Sequence, residues 1–388
     1  MAGPLIYLDH NATTPVRPEV VDAMLPFLKE HFGNPNSPYL LGQRARKAVE
    51  EAREKVAGLL GAADASEIVF TSCGSESDVA AISGAAWQVH AETRGAKSQV
   101  VSTKIEHDAV RGILGVLRLR GFAGDMAAVD RDGLVDPAAV AALLSDKTAV
   151  VSVMHANNEV GTIQPIAEIA ALCRQRGVLF HTDAVQSAGK VPIDVQALGV
   201  DMLSISGHKI NAPKGVGALY VRRATRLTPT ITGHQEKNRR GGTENVASIV
   251  GLGAACELAK KEVAHAARYK AWRDKLEAGV LRIKGSRRNG HPQRRLPNCA
   301  HFSLEGIDGH QLVIALDLEG VCVSSGPACS SGASTPSHVL TAMGVEPAWA
   351  SGSLRVSLGW STTEADVDRF LEILPRAVDK LRSVAASI

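Results

Sequence analysis

Lys209 and Asp183 carry the clearest chemistry in the chain. Lys209 closes Ser204-Ile205-Ser206-Gly207-His208-Lys209, at the end of a short apolar stretch. A lysine amine can form a Schiff base with a carbonyl cofactor, and pyridoxal phosphate is the commonest partner in that chemistry. Its pyridine ring needs a carboxylate beside the nitrogen, so that the ring stays protonated and withdraws electrons from the substrate carbon. Asp183 emerges from an apolar run, within His181-Thr182-Asp183-Ala184-Val185-Gln186-Ser187. A carboxylate there is costly to bury without a cationic partner, and a protonated pyridine is one. A helix N-cap is the other reading of this aspartate.

Five further segments surround this pair. Thr71-Ser72-Cys73-Gly74-Ser75-Glu76-Ser77 follows a strand-like run and opens a helical one. Small residues there let backbone N–H groups approach a phosphate at a helix N-terminus, although an ordinary turn has the same composition. His107 ends the strand-like Val100–Thr103 region; it can stack on a ring and move protons, or be structural. Asn157-Asn158-Glu159 follows the apolar run Ala149–His155. Its amides suit a phenolate or carboxylate, or simply hold their own turn. Ser324-Ser325-Gly326-Pro327-Ala328-Cys329-Ser330-Ser331-Gly332 sets a thiol among small residues, as a loop that moves its thiol into and out of a site would, or as an unremarkable loop thiol. Arg355 lies on an otherwise apolar strand, where it pairs with a substrate carboxylate or forms a structural ion pair.

Groups of this kind must be held at the carboxyl ends of neighbouring strands, where open α/β sheets bind ligands. The pattern supplies such strands. Short apolar runs at Glu67–Thr71, Val100–Thr103, Ala149–His155, Val178–Thr182, Met202–Ser206 and Gly217–Val221 alternate with helical segments such as Glu76–Trp87 and Ile166–Gln175. That alternation predicts an α/β fold with a mostly parallel sheet and crossover helices. The pattern changes after about residue 258. A long helix over Ala264–Leu281 leads into a basic loop, Lys284–Pro297. Strand-like pieces follow at Ala300–Leu304, Val321–Ser324 and Leu354–Leu358. A last helix over Glu364–Val384 is capped by Thr362 or Thr363. The expected organisation is a large cofactor-binding domain over 16–258. A smaller α+β domain is built from 1–15 and 259–388 and carries a mobile cysteine loop at about 324–334.

Composition narrows the class. A chain of 388 residues with 45% hydrophobic and 21% charged residues has material for a large core. A net charge of +3 gives no global attraction to nucleic acid, and the cluster Lys284, Arg287, Arg288, Arg294 and Arg295 has no interleaved aromatic residues. The six cysteines are scattered without a CxxC pair, which argues against a zinc site or a disulfide framework. There is no signal-like N-terminus and no membrane-length apolar run, so a reducing cytoplasm is expected.

Taken together, these motifs resemble the cysteine desulfurases of the class-V aminotransferase family, pyridoxal phosphate fold-type I, nearly end to end. The likeness runs through Tyr7–Thr14, Phe32-Gly-Asn-Pro35, Phe70–Ser77, Glu106-His107 and Asn157–Glu159. It continues through His181–Gln186, Ser206–Lys209 and Arg239-Arg-Gly-Gly-Thr-Glu-Asn245, and ends at Ser324–Cys329 and Arg355. The loop form looks like the first of the family's two groups, and the Arg239–Asn245 stretch looks like its nitrogen-fixation-type members. The resemblance implies a role for each residue. Lys209 holds pyridoxal phosphate and moves the substrate α-proton. Asp183 pairs with the ring nitrogen, Gln186 and Asn158 reach the ring oxygen, and His107 stacks on the ring as acid–base. Gly74, Ser75, Ser206 and His208 hold the phosphate, with Thr243 reaching it from the partner subunit of a homodimer. Asn34 and Arg355 hold the carboxylate of L-cysteine, and Cys329 takes its sulfur as a persulfide, leaving L-alanine. An iron–sulfur scaffold or another acceptor protein then receives the sulfur. A selenocysteine lyase or an aminotransferase of the same fold is the alternative. The chain departs from the usual pattern at Ser75, Asp108, Asn36-Ser37-Pro38-Tyr39 and Pro327, none of which removes a catalytic group.

Overall fold

The computed structural model describes residues 5–326 and 337–385. Twelve strands appear in these regions: β1 Ile6–Tyr7, β2 Ile68–Thr71, β3 Gln99–Thr103, β4 Ala123–Ala127, β5 Thr148–Ser152 and β6 Leu179–Asp183 come first. After them come β7 Met202–Ser206, β8 Gly217–Val221, β9 Ser286–Asn289, β10 Cys299–Leu304, β11 Val321–Cys322 and β12 Ser353–Ser357. Seven of them form one sheet in the order β2-β8-β7-β6-β5-β3-β4. The pairs from β4 across to β7 are parallel, and β8 runs antiparallel to both its neighbours. The α/β class and the mostly parallel sheet expected from the alternating pattern are therefore present.

This sheet is buried on both faces, which is why its strands read as continuous apolar runs. Successive residues point to opposite sides. Val101, Val151, Leu203 and Tyr220 join one core, with helices Leu40–Leu60, Ile166–Gln175 and Val246–Glu262 against it. Val100, Val150, Met202 and Leu219 join the other, under helices Gly74–Glu92 and Asp108–Leu119.

A second core lies around the antiparallel sheet β12-β10-β9, packed by helices Ala266–Val280, Gly309–Leu318 and Glu364–Ala385. The short parallel pair β1–β11 joins it, and Asp9 bridges to Ser357. Thr363 caps the last helix, its hydroxyl accepting from the Asp366 N–H at 3.2 Å. Three strands were not evident in the sequence, among them the two-residue β1. β4 reads Ala-Gly-Asp-Met-Ala, and β9 falls inside the stretch taken as a basic loop. Both are edge strands, where polar side chains face solvent and the apolar signal is lost.

Candidate active site

Three adjacent strands end at one cavity. Asp183 is the last residue of β6, Ser206 is the last of β7, and Asn158 follows β5. A single 3-10 turn, Gly207–Lys209, lets the chain double back after β7 and brings Lys209 to the cavity. The Lys209 ammonium donates to the carbonyl oxygens of Asn11 and Ala12, at 2.5 and 2.8 Å. The cavity measures about 240 Å³ and also touches Gly74, Ser75, His107, Gln186, His208 and Arg355. That lies below the ~300–1,000 Å³ typical of drug-sized ligands and suits a small phosphorylated ring.

The Gly74 end of the cavity is built for an anion. Helix Gly74–Glu92 begins there, and its first N–H groups have no helical partner. A Cβ on Gly74 would stand 2.7 Å from Val185 Cγ2 and 3.2 Å from Ser206 Cβ, so only glycine lets the backbone come this close. The Ser206 hydroxyl is buried with no hydrogen-bond partner among the described residues. An orphaned hydroxyl beside a helix N-terminus is the donor set a phosphate needs. His208 holds Thr13 through Nδ1 at 3.1 Å, and burial, then the charge of Lys209, lowers it to about 4.

Asp183 is 5% exposed. Its Oδ1 accepts from the Val185 N–H at 2.8 Å, the short-range bond expected of a turn. Burial raises its proton affinity, while the charges of His107 and Lys209 lower it. His107 is the N-cap of helix Asp108–Leu119, with Nδ1 accepting from the Ala109 N–H at 3.2 Å. Neutral His107 therefore carries its proton on Nε2. Asn157 holds the turn after β5: its amide donates to the Ile105 carbonyl and its oxygen accepts from the N–H groups of Glu159 and Val160. Asn158 is left to line the cavity.

Arg355 is 1% exposed, bonded to Asp9 at 2.7 Å and to the Asn158 carbonyl at 3.1 Å. Its Nε is buried without a partner among the described residues. The arginine is thus in an ion pair and at the cavity wall at once. Asn34 and Thr243 are exposed and do not line this cavity within one chain. Cys329 lies outside the described residues, as does most of the loop expected at about 324–334.

Sequence reading did not single out Asp78, Asn11 or Lys190. Asp78 lies one turn after Gly74 on the same helix and lines the cavity. Burial first, then the Asp183 charge, pushes its carboxyl well above the usual range, and its Oδ1 has no partner among the described residues. Its 3.7 Å approach to His181 is not an ion pair, because burial drives His181 down to about 3 and leaves the imidazole neutral. The signal for Asp78 was its i+4 spacing from Gly74.

Comparison with known proteins agrees with this geometry. The family model "Aminotransferase class-V" matches residues 6–370. The cysteine desulfurase NifS of Azotobacter vinelandii is 47% identical over 383 residues, covering 98% of this chain and 94% of its own. A solved NifS-like protein superposes with a TM-score of 0.89 at 38% identity, over 97% of this chain and all of that one. A structure described as SspA in complex with cysteine superposes with a TM-score of 0.79 at 35% identity, over 91% of this chain and 98% of that one. The chain belongs to the class-V aminotransferase family, whose enzymes work through pyridoxal phosphate, and within it to the cysteine desulfurases.

Proposed function

We propose that this chain converts L-cysteine to L-alanine and collects the sulfur as a persulfide on Cys329. The observation that carries the reading is the convergence of Lys209, Asp183 and the Gly74 helix start on one cavity, with Arg355 in its wall. When bound, pyridoxal phosphate supplies an electron sink that acidifies the substrate α-carbon and weakens its Cβ–S bond.

The chain's residues do the rest. Lys209 anchors the cofactor and moves the α-proton. Asp183 holds the ring nitrogen, while Gln186 and Asn158 face the ring oxygen. Gly74, Ser75, Ser206 and His208 hold the phosphate. Arg355 takes the substrate carboxylate, a fork matched to a guanidinium. His107 stacks on the ring, and its Nε2 gives or receives a proton. A thiol near pKa ~8.5 is only a few per cent ionised at neutrality, so Cys329 needs such a base. Its thiolate attacks the substrate sulfur. The S–S bond forms and the Cβ–S bond breaks. The bonding pair stays with the carbon skeleton, which takes up a proton and leaves as L-alanine.

The active unit in this reading is a homodimer in which Thr243 reaches the partner's phosphate site. Support comes from Leu28, Phe32, Tyr39 and Leu40, large apolar residues that are all exposed in the single chain. Three successive left-handed residues, Glu236, Lys237 and Asn238, precede the Arg239–Asn245 stretch, and Arg53 clamps Glu236 with a bidentate pair at 2.6 and 2.8 Å. A fixed turn of this kind presents Thr243 outward. The division into 16–258 against 1–15 with 259–388, a cytoplasmic location and delivery to an iron–sulfur scaffold or another sulfur acceptor belong to the same proposal. Among the described residues no helix is long and apolar enough to cross a membrane.

The test is the visible spectrum of the purified protein before and after L-cysteine, with alanine and sulfide assayed under reductant. A cofactor band that responds to cysteine, with alanine and sulfide forming together, is the expected result. A band without alanine would move the assignment to another reaction of the same fold.

A further inference from the structure

We propose that Lys190 is a positioning residue, whose ammonium fixes the Gln186 amide so that Nε2, not Oε1, faces the ring oxygen of pyridoxal phosphate. The inference rests on the functional reading above and extends it to a residue with no assigned role. Lys190 is only partly exposed, on the turn that follows β6. Its Nζ stands 3.0 Å from Gln186 Oε1 and 3.3 Å from Asn11 Oδ1. Gln186 Nε2 donates to the Asn11 carbonyl oxygen at 2.9 Å.

The chemistry of the donors decides the orientation. An ammonium has three N–H donors and no acceptor, so the amide atom beside it must be oxygen. Turned over, the amide would set Oε1 against the Asn11 carbonyl and its NH2 against the ammonium. Two repulsive contacts would replace two hydrogen bonds. In the observed orientation Nε2 spends one hydrogen on Asn11 and keeps the second, and Gln186 lines the cavity. That remaining N–H is the group a ring phenolate needs. The same Asn11 carbonyl also accepts from Lys209, so one backbone oxygen ties the anchor lysine to the ring-oxygen ligand.

Burial, then the charge of Lys209, lowers Lys190 to about 7. A negative ring oxygen close by would favour its charged form. Lys190 does not line the cavity and acts through Gln186.

The experiment compares unmodified holoenzyme with Lys190→Met, Lys190→Arg and Gln186→Glu. It reads the position of the bound cofactor's visible band, the rate of cofactor release, kcat and KM for cysteine, and the melting temperature. Lys190→Met should displace the band and speed cofactor release about tenfold, the order of one hydrogen bond to a charged group. It should lower kcat more than it changes KM. Lys190→Arg, which keeps the donors, should retain most of the unmodified band. A folded Lys190→Met with an unmoved band and release rate overturns the inference, even if its melting temperature falls. If Lys190→Met does not fold, Gln186→Glu decides: it offers oxygen to the ring oxygen, and an unmoved band there overturns the proposal. Absence of any cofactor band in the unmodified protein would instead defeat the functional reading, and this inference with it.

Discussion

Arg355 on β12 and Asp9, just after β1, form a partly buried ion pair of 2.7 Å, Nη2 to Oδ1. The pair joins the last strand of the small sheet to the N-terminal segment that also supplies Asn11 to the cavity. Asp9 holds Nη2 and the Asn158 carbonyl holds Nη1, so the guanidinium is fixed at the cavity wall. Asp9→Ala should leave the arginine poorly aimed. A hydrogen bond between charged groups contributes about 1.5–3 kcal/mol, so KM for cysteine should rise about tenfold to a hundredfold, with a smaller change in kcat. Asp9→Asn, which keeps an acceptor, should lie between. Steady-state kinetics decide it, and an unchanged KM in Asp9→Ala would show that Arg355 does not depend on this partner.

Gly74 makes a sharper steric case. The added methyl of Gly74→Ala would meet Val185 Cγ2 at 2.7 Å, a branched side chain with little freedom to retreat. Overpacking of this kind costs about 1–3 kcal/mol. Because the strain falls on the phosphate end, cofactor affinity should drop by about tenfold or more. The double variant Gly74→Ala, Val185→Ala should recover part of the loss, since the two sites touch. Equilibrium titration with pyridoxal phosphate measures both. Equal affinities for Gly74→Ala and the unmodified protein would refute the close-approach argument.

These contacts show what the sequence made legible. Lys209, Asp183 and Gly74 stood out because each breaks an apolar run at a strand end, and parallel strands bring such ends together. Lys190, Asp78 and Asn11 did not stand out. Each looks ordinary in its own segment and gains meaning only through a partner on another one. Asn11 meets Lys209 across 198 residues, a proximity that local pattern does not encode. Arg355 was legible as an arginine in an apolar strand, but whether it served Asp9 or a substrate was not, and it contacts Asp9 while lining the cavity. The strands β4 and β9 were lost for the opposite reason, since edges tolerate polar residues.

Glu106 gives the fold a pH dependence. It is fully buried, accepting from the Thr103 hydroxyl at 2.5 Å and from the Met154 N–H at 3.0 and 3.1 Å. Burial raises it from 4.5 to about 8. A raised carboxyl binds its proton more tightly in the folded state than in the unfolded one. Its contribution is therefore fully present below about pH 4.5 and is lost as pH rises towards about 8. Glu106→Gln carries no proton to lose. Its melting temperature should fall less between pH 6 and pH 8.5 than that of the unmodified protein. Parallel curves for the two proteins over that range would remove Glu106 as the source.

The described cysteines differ in how well they could accept sulfur. Cys173, Cys256 and Cys299 are buried, and burial pushes all three thiols up, Cys173 to about 12. Cys322 is raised as well, by burial and then by Asp317 and Asp9. A raised thiol is a poor nucleophile at neutral pH. Cys73 is the rival: it lines the cavity, where its Sγ accepts from the Glu76 N–H at 3.4 Å. That bond caps the helix and fixes Cys73 at the Gly74 end of the cavity. Cys329→Ala should therefore bind cofactor and respond spectrally to cysteine, while alanine formation falls to background. Peptide mapping of the unmodified protein after cysteine and thiol alkylation should place the persulfide on the Cys329 peptide. A persulfide on the Cys73 peptide, retained in Cys329→Ala, would move the nucleophile from the loop to the helix start.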